Sequence, residues 1–173
     1  MPFDAFLRRS ATSAAVGLML VASPGQAESV AIAFEFLCDR TIHYFNDGIG
    51  NQIEYTSPEG GAYLWFPDTP EVIVGTWDVF ERDDGVVEIC FEYPANSFGF
   101  DGLTINNSEI HCFEYGAWVA DIQEDGIRDG DPFQLASGEI PFMLQAYPRL
   151  PSEILEATSE EVPRGAGCAA FVS

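Results

Sequence analysis

Lysine is absent from this 173-residue sequence, and basic residues of any kind are few. Seven arginines stand against twenty-eight Asp and Glu residues, which gives a formal net charge of −21 at pH 7. A chain with this charge repels phosphate backbones and anionic lipid head groups over the whole distance that salt leaves unscreened. The composition therefore argues against nucleic acid as a partner and against membrane attachment through basic segments.

Long hydrophobic runs are also missing. The longest apolar stretch, residues 11–22, follows Arg8 and Arg9 and is far shorter than the roughly 20 residues that span a bilayer. A basic start, a short apolar stretch and a small residue at Ala27 are typical of a cleaved secretory signal peptide. We expect residues 1–27 to be removed near Ala27. Residues 28–173 then form one periplasmic or secreted domain with no membrane span.

Recognisable catalytic motifs are lacking as well. The sequence contains no Gly-x-Ser-x-Gly and no His-Glu-x-x-His, and its two histidines are His43 and His111. Each histidine alternates with a Phe along a strand-like segment, which favours a structural or surface role. The acids are so numerous that a pair at glycosidase spacing would arise by chance. The sequence therefore assigns no catalytic residue.

Aromatic residues, by contrast, are plentiful: fourteen Phe, six Tyr and three Trp, far more than a disordered acidic chain contains. Segments in which apolar and polar residues alternate are separated by Gly, Pro, Asn and Asp turns, and so read as strands. They cover residues 30–38, 41–45, 52–56, 62–66, 72–80, 86–93, 108–120 and 140–147. Their short spacing predicts antiparallel neighbours, because a parallel crossover needs a dozen or more residues.

We therefore predict an all-β, single-domain antiparallel meander, curled into a small barrel or a strongly twisted sheet. Little helix is expected beyond the signal peptide, apart from a helical turn at residues 152–157. A two-sheet sandwich is the alternative. Trp77 is expected in the core, because it shares one side of its strand with Ile73 and Val79.

The four cysteines all follow the expected signal peptide, and an even number in an oxidising compartment favours two disulfides. Cys90 and Cys112 each begin a Cys-Phe-Glu-Tyr sequence and each lie on the polar face of a predicted strand. We therefore predict that these two strands are neighbours joined by a Cys90–Cys112 disulfide. Cys38 then pairs with Cys168 and fastens the C-terminal tail to the first predicted strand.

The acidic segment 121–131 partly matches a calcium-binding loop. Asp121, Asp125 and Asp129 stand at alternating positions around Gly126, but Pro132 occupies the place of the bidentate Glu that completes such a site. We expect a solvated turn. A weak calcium site formed by the three aspartates is the alternative, and no other cofactor is expected.

The strand at residues 75–79, with its Gly-x-Trp start, and the Ile-Cys strand at residues 89–93 resemble small exported proteins of alphaproteobacteria without an assigned function. In those proteins a Gly-x-Trp strand precedes an Ile/Leu-Cys strand, after a turn like the one at residues 55–60. The resemblance covers residues 41–115. It implies export and the β class, and it transfers no catalytic residue.

Three classes of function follow from these observations. The leading interpretation is a non-catalytic exported binding module, whose aromatic-rich sheet holds a small apolar ligand or a protein partner. The alternatives are a structural or accessory envelope protein, weakly stabilised by calcium, and then a carboxylate-based hydrolase. An open aromatic cavity would favour the first, a filled core with an exposed apolar patch the second, and two inward carboxylates in a cleft the third.

Overall fold

The computed structural model describes residues 29–95, 109–122, 126–155 and 168; the expected signal peptide and its cleavage site lie outside them. The described chain contains seven strands, three short α-helices and a 3₁₀ turn. The strands are β1 (Arg40–Asn46), β2 (Gly50–Thr56), β3 (Gly61–Trp65), β4 (Ile73–Glu81), β5 (Val87–Tyr93), β6 (Glu109–Glu114) and β7 (Ile127–Asp129). The helices are α1 (Val30–Leu37), α2 (Tyr115–Asp121) and α3 (Pro151–Leu155), and the 3₁₀ turn is Leu135–Ser137.

The seven strands form one antiparallel sheet in the order β6-β5-β4-β3-β2-β1-β7, curled into a half-barrel. Strands β1 to β6 follow one another as hairpin neighbours, and β7 returns to pair with the outer edge of β1. Glycines occupy several of the turn positions with a positive φ, among them Gly50 (φ +99°) and Gly85 (φ +84°). The predicted all-β meander is confirmed.

Helix α1 occupies the segment for which a half-buried strand was predicted, and that prediction is wrong. The Ser29 side chain caps the helix by accepting a hydrogen bond from the Ile32 backbone N–H (3.2 Å). Ala33 and Leu37, four residues apart, are fully buried, and the helix packs on β4 and β5. The apolar residues of this segment fit the helical period as well as the alternation of a strand. Packing and the Ser29 cap therefore determine that the segment is a helix.

Two more strand predictions need correction. The strand predicted at residues 108–120 ends at Glu114, where helix α2 begins with the buried Tyr115. Residues 140–147 form no strand, since Pro141 lacks the N–H that a strand ladder requires. The helical turn predicted at residues 152–157 is present as α3, as far as Leu155; residues 156 and 157 lie outside the described part.

Each face of the sheet carries its own hydrophobic core. The inner, concave face packs against α1 and α2, and Trp77 on β4 is at its centre, 5% exposed, with its ring stacked on Phe34 at a centroid distance of 5.1 Å. The Trp77 indole N–H donates to the Ser57 carbonyl oxygen (3.0 Å). Trp77 is thus a core residue, as predicted.

Residues 133–154, called the C-terminal segment below, cover the outer face of β2 and β3. Its buried residues surround Trp65, which makes edge-to-face contacts with Phe133 (5.6 Å) and Phe142 (4.8 Å). Asn51 on β2 fastens this segment by donating to the carbonyl oxygens of Gln145 and Tyr147. Strand β2 is therefore buried on both faces, an unusual condition for a strand of an antiparallel sheet.

Both predicted disulfides are present. Cys90 and Cys112 lie directly opposite each other on β5 and β6, with their Cα atoms 4.1 Å apart. Cys38 pairs with Cys168 across a Cα separation of 5.7 Å. Since Cys38 follows helix α1, the tail is fastened to the end of a helix and not to a first strand. Two such bridges are characteristic of an oxidising compartment.

No helix within the described ranges combines the length and the apolar character needed to cross a membrane.

Candidate functional site

A cavity of about 610 Å³ opens at one end of the inner face. Strands β1 and β2 form one wall, β5 and β6 form the opposite wall, and helix α2 lies across the gap between them. The β1–β2 hairpin loop, through Ile49, contributes to the rim. The cavity thus occupies the space that the half-barrel encloses beyond the packed core.

Aromatic rings make up much of the cavity lining. Phe91 on β5, Phe113 on β6 and Trp118 on α2 form a contiguous group, in which the three ring centroids are 6.1 to 6.5 Å apart. Tyr44 and Tyr93 lie on the same lining. Phe113 remains 42% exposed, so part of this apolar surface is accessible from solvent.

Glu54 is the buried acid of the cavity. It lies on β2, only 3% exposed, and its carboxyl group accepts hydrogen bonds from two phenols of the lining. The Tyr93 hydroxyl donates to Oε1, and the Tyr44 hydroxyl lies 3.5 Å from Oε2. A buried carboxyl group therefore faces an aromatic cavity, with hydroxyl groups and no guanidinium among its observed hydrogen-bond partners.

The contact between Glu54 and Tyr93 depends on the curl of the sheet. Strands β2 and β5 are separated by β3 and β4, so a flat sheet would hold their backbones about 14 Å apart. Gly75 on β4 makes the contact feasible, since a Cβ atom at this position would lie 2.7 Å from the Tyr93 ring. Its direct partner on β3 is another small residue, Ala62. Small residues in the middle of the inner face thus leave room for the Tyr93 side chain to reach the Glu54 carboxyl group.

Burial raises the pKa of the Glu54 carboxyl from 4.5 to about 7, although the hydrogen bonds from Tyr93 and Tyr44 act in the opposite direction. Burial, together with the neighbouring Glu54, also raises the pKa of the Tyr44 and Tyr93 hydroxyls, so both remain neutral donors. Near neutral pH the Glu54 carboxyl is therefore divided between its protonated and ionised forms. It can donate a hydrogen bond in the first form and attract a cation in the second.

The structure does not assemble the predicted calcium ligands into a site within its described part. Asp121 ends helix α2 on the cavity lining, whereas Asp129 on β7 pairs with Arg40 (3.1 Å). Asp125 lies outside the described residues. The next acid, Asp131, accepts hydrogen bonds from the backbone N–H groups of Leu135 and Ala136 (2.8 Å each) and so holds the 3₁₀ turn. The calcium site stays a prediction.

The two histidines lie in different environments. His43 is 1% exposed on the outer face, where its Nε2 is 3.1 Å from Oδ1 of Asn51, the residue that fastens the C-terminal segment. This position fits the structural role expected for it. His111 lies on the inner face of β6, on the cavity lining, with its ring 6.4 Å from that of Tyr93. No catalytic residue was predicted, and neither histidine is assigned as one.

Sequence reasoning missed Glu54 and its two tyrosines entirely. Glu54 alternates with Ile53 and Tyr55, which is the pattern of a solvated acid on a half-buried strand. One indication was present, because an isolated glycine within a strand, such as Gly75, often marks the close approach of another group. Nothing in the sequence shows that the approaching group is Tyr93.

Comparisons of the chain with protein-family models, with curated proteins and with solved structures gave no match.

Proposed function

We propose that this protein is a non-catalytic binding module that holds one small, largely apolar ligand in the cavity between β1–β2, β5–β6 and helix α2. The observation that carries the proposal is the aromatic lining around the deeply buried carboxyl group of Glu54. A cavity of about 610 Å³ falls in the range of small-molecule sites, which are mostly apolar and contain a few polar groups that fix orientation.

The arrangement favours binding over hydrolysis. A carboxylate-based hydrolase needs two carboxyl groups that converge on one bond. The other acids of the described lining, Glu114 and Asp121, are exposed, and Glu114 faces Arg82 at 3.8 Å. Among the acids of the described lining, Glu54 is thus the one whose carboxyl group is buried. The role that suits it best is a polar anchor for a ligand.

We further propose that the protein acts after export, in the periplasm or outside the cell, once residues 1–27 are removed. The two disulfides support this location, and so does the pattern of basic, apolar and small residues at the start of the chain. The resemblance of residues 41–115 to small exported alphaproteobacterial proteins points to the same compartment.

The proposal can be tested with N-phenyl-1-naphthylamine, a neutral probe whose fluorescence increases in apolar sites. We expect saturable binding to the disulfide-bonded protein, with a stoichiometry of one. Ala117→Trp places a large side chain on the cavity side of α2 and should abolish most of the fluorescence increase.

Ala120→Trp is the matched control, since Ala120 is exposed on the same helix and is not part of the cavity lining. It adds the same side chain and should leave probe binding within about twofold of the unmodified protein, a change of less than roughly 0.5 kcal/mol. Absence of probe binding, or equal loss in both variants, would contradict the proposed cavity site.

A further inference from the structure

The charged side chains on the described cavity lining are mainly acidic, although one of them, Glu114, faces Arg82, which is outside the lining, and this bears on the ligand that the proposed site would take. Three acids, Glu54, Glu114 and Asp121, are on the described lining, and arginine is absent from that part of it. His111 is the one basic side chain there. An anionic ligand would meet repulsion from the lining and from a chain of net charge −21.

Glu54 gives this negative lining a specific point of attraction. Its carboxyl group is withdrawn from water, and the groups observed to donate to it are the neutral hydroxyls of Tyr44 and Tyr93. Neutral hydrogen bonds leave an ionised carboxylate with its full negative charge. At a position as buried as that of Glu54, such a charge interacts strongly with a cation that approaches it.

The aromatic rings supply the second element of cation recognition. Phe91, Phe113 and Trp118 are mutually in contact at one wall, and Tyr93, which is hydrogen-bonded to Glu54, lies on the same lining. The faces of such rings attract ammonium groups through their quadrupoles, most strongly where water is excluded, while their apolar surface accommodates the rest of the ligand. A buried carboxylate beside several aromatic rings therefore suits a cation that carries an apolar group.

We infer that the ligand of this cavity is an organic cation, an inference that rests on the proposed function. The ligand is an amine whose ammonium group pairs with Glu54 and whose apolar part packs against Phe91, Phe113 and Trp118. Neutral apolar compounds of the same size bind more weakly, because they leave the carboxyl group without a compensating charge. Anionic compounds of the same size bind most weakly of all.

Three soluble compounds of similar size and different charge test this inference: phenethylamine, 2-phenylethanol and 3-phenylpropionate. Binding is measured by isothermal titration calorimetry on the disulfide-bonded protein at about pH 8, where most Glu54 is ionised. We expect the amine to bind at least about tenfold more tightly than the alcohol, and the carboxylate to show the weakest binding.

Two variants locate the effect. Glu54→Gln retains the shape of the side chain and an acceptor for the tyrosine hydroxyls, and it should remove the preference for the amine while leaving the alcohol within about twofold. Glu92→Gln removes one exposed acid from the opposite face of β5 and should change neither, so it controls for net charge. Retained binding of the alcohol shows that Glu54→Gln is folded.

The pH dependence gives a second readout. The titratable groups that face or surround Glu54 in the described cavity are Tyr44, Tyr93, His111, Glu114 and Asp121. Between about pH 5.5 and pH 8 the unmodified protein should gain affinity for the amine as Glu54 ionises, and Glu54→Gln should lose that gain. A gain that persists in Glu54→Gln would assign the effect to another group of the protein and overturn the role given to Glu54.

The outcomes separate the two proposals. If 2-phenylethanol and the neutral naphthylamine probe bind but phenethylamine binds no more tightly than 2-phenylethanol, the cation inference fails and the binding function stands. If Glu54→Gln retains the full preference for the amine, the inference fails in the same way. If no compound, charged or neutral, binds at all, both proposals fail together.

Discussion

Glu54 occupies a position in β2 where alternation alone would place a solvent-exposed side chain. Its neighbours Ile53 and Tyr55 face the outer core, so Glu54 must point to the inner face, which the curled sheet closes from water. An isolated strand pair would leave this carboxyl solvated. The burial of Glu54 is therefore a consequence of the whole half-barrel, and it makes the residue's protonation depend on folding.

Glu54→Gln should make the stability of the protein less dependent on pH between about pH 4.5 and pH 7. Because folding raises the pKa of Glu54 from 4.5 to about 7, the folded state holds this proton more tightly than the unfolded state. The stabilising contribution is complete below about pH 4.5 and declines as the pH rises toward about 7. The total loss is on the order of 3 kcal/mol.

Urea unfolding at several pH values checks this expectation. Between about pH 5 and pH 8 the free energy of unfolding should fall further for the unmodified protein than for Glu54→Gln, in which the group does not titrate. The comparison between the two proteins removes the contribution of the other acids. Parallel curves for both would show that Glu54 titrates alike in the folded and unfolded states.

Trp77→Ala should lower the free energy of unfolding by roughly 3 to 5 kcal/mol, as is typical for a large aromatic residue removed from a core. The substitution also leaves the Ser57 carbonyl oxygen without its indole donor. Trp118→Ala, which removes a half-buried ring from the cavity, should cost clearly less. A urea midpoint that stays unchanged in Trp77→Ala would show that the ring contributes little to the core.

At the level of elements, the strands connected by tight turns and the helical turn α3 were predictable, whereas helices α1 and α2 were not. Asp83, Asp84 and Gly85 mark the β4–β5 hairpin in the sequence, and the structure forms a turn there, closed by a hydrogen bond from the Arg82 N–H to the Val86 carbonyl oxygen (2.9 Å). Helices α1 and α2 are only eight and seven residues long. Segments this short are marginal by themselves, so tertiary contacts determine their conformation.

The cavity could not be predicted for a related reason. Its buried acid, Glu54, lies on β2 beside Tyr44 of the adjacent strand β1, but Tyr93 comes from β5, which is distant along the sequence and is brought to the acid only by the curl of the sheet. The disulfides could be predicted, because Cys90 and Cys112 share a local sequence and a strand face. Local patterns therefore predicted the neighbouring strands, while contacts across the half-barrel required the three-dimensional structure.

The two disulfides should contribute unequally to stability. The Cys90–Cys112 bridge spans 22 residues and the Cys38–Cys168 bridge spans 130, so loop entropy predicts contributions of about 3 and 5 kcal/mol. Replacing each pair by alanines and measuring urea unfolding provides the comparison. A larger loss for the Cys90–Cys112 pair would show that joining β5 to the edge strand β6 matters more than closing the long loop.

At the level of the whole molecule, the charge of −21 is the dominant electrostatic fact. Mutual repulsion of the acids opposes the compact state, and salt screens this repulsion. We therefore expect the repulsion among the exposed acids, including Asp121 and Asp129, to weaken as the ionic strength rises, whichever salt supplies it. A specific calcium effect requires ligands that converge on the ion.

Calcium at 1 mM should stabilise the protein by no more than about 0.4 kcal/mol, the value for a site with a dissociation constant in the same range. For a domain of this size that corresponds to roughly 1 °C in Tm. The control is sodium chloride at equal ionic strength. A shift of several degrees with calcium alone, lost in Asp125→Ala, would identify the acidic segment 121–131 as a metal site.

The most direct measurement of the central claim, that the cavity binds a small apolar compound, is the NMR spectrum of the three tryptophan indole N–H groups. Trp118 is on the cavity lining, whereas Trp65 and Trp77 lie in the two cores. Titration with 2-phenylethanol should shift the Trp118 resonance, assigned with Trp118→Phe, and leave the other two nearly unchanged. Equal shifts of all three resonances, or a Trp118 resonance that does not move, would contradict the account.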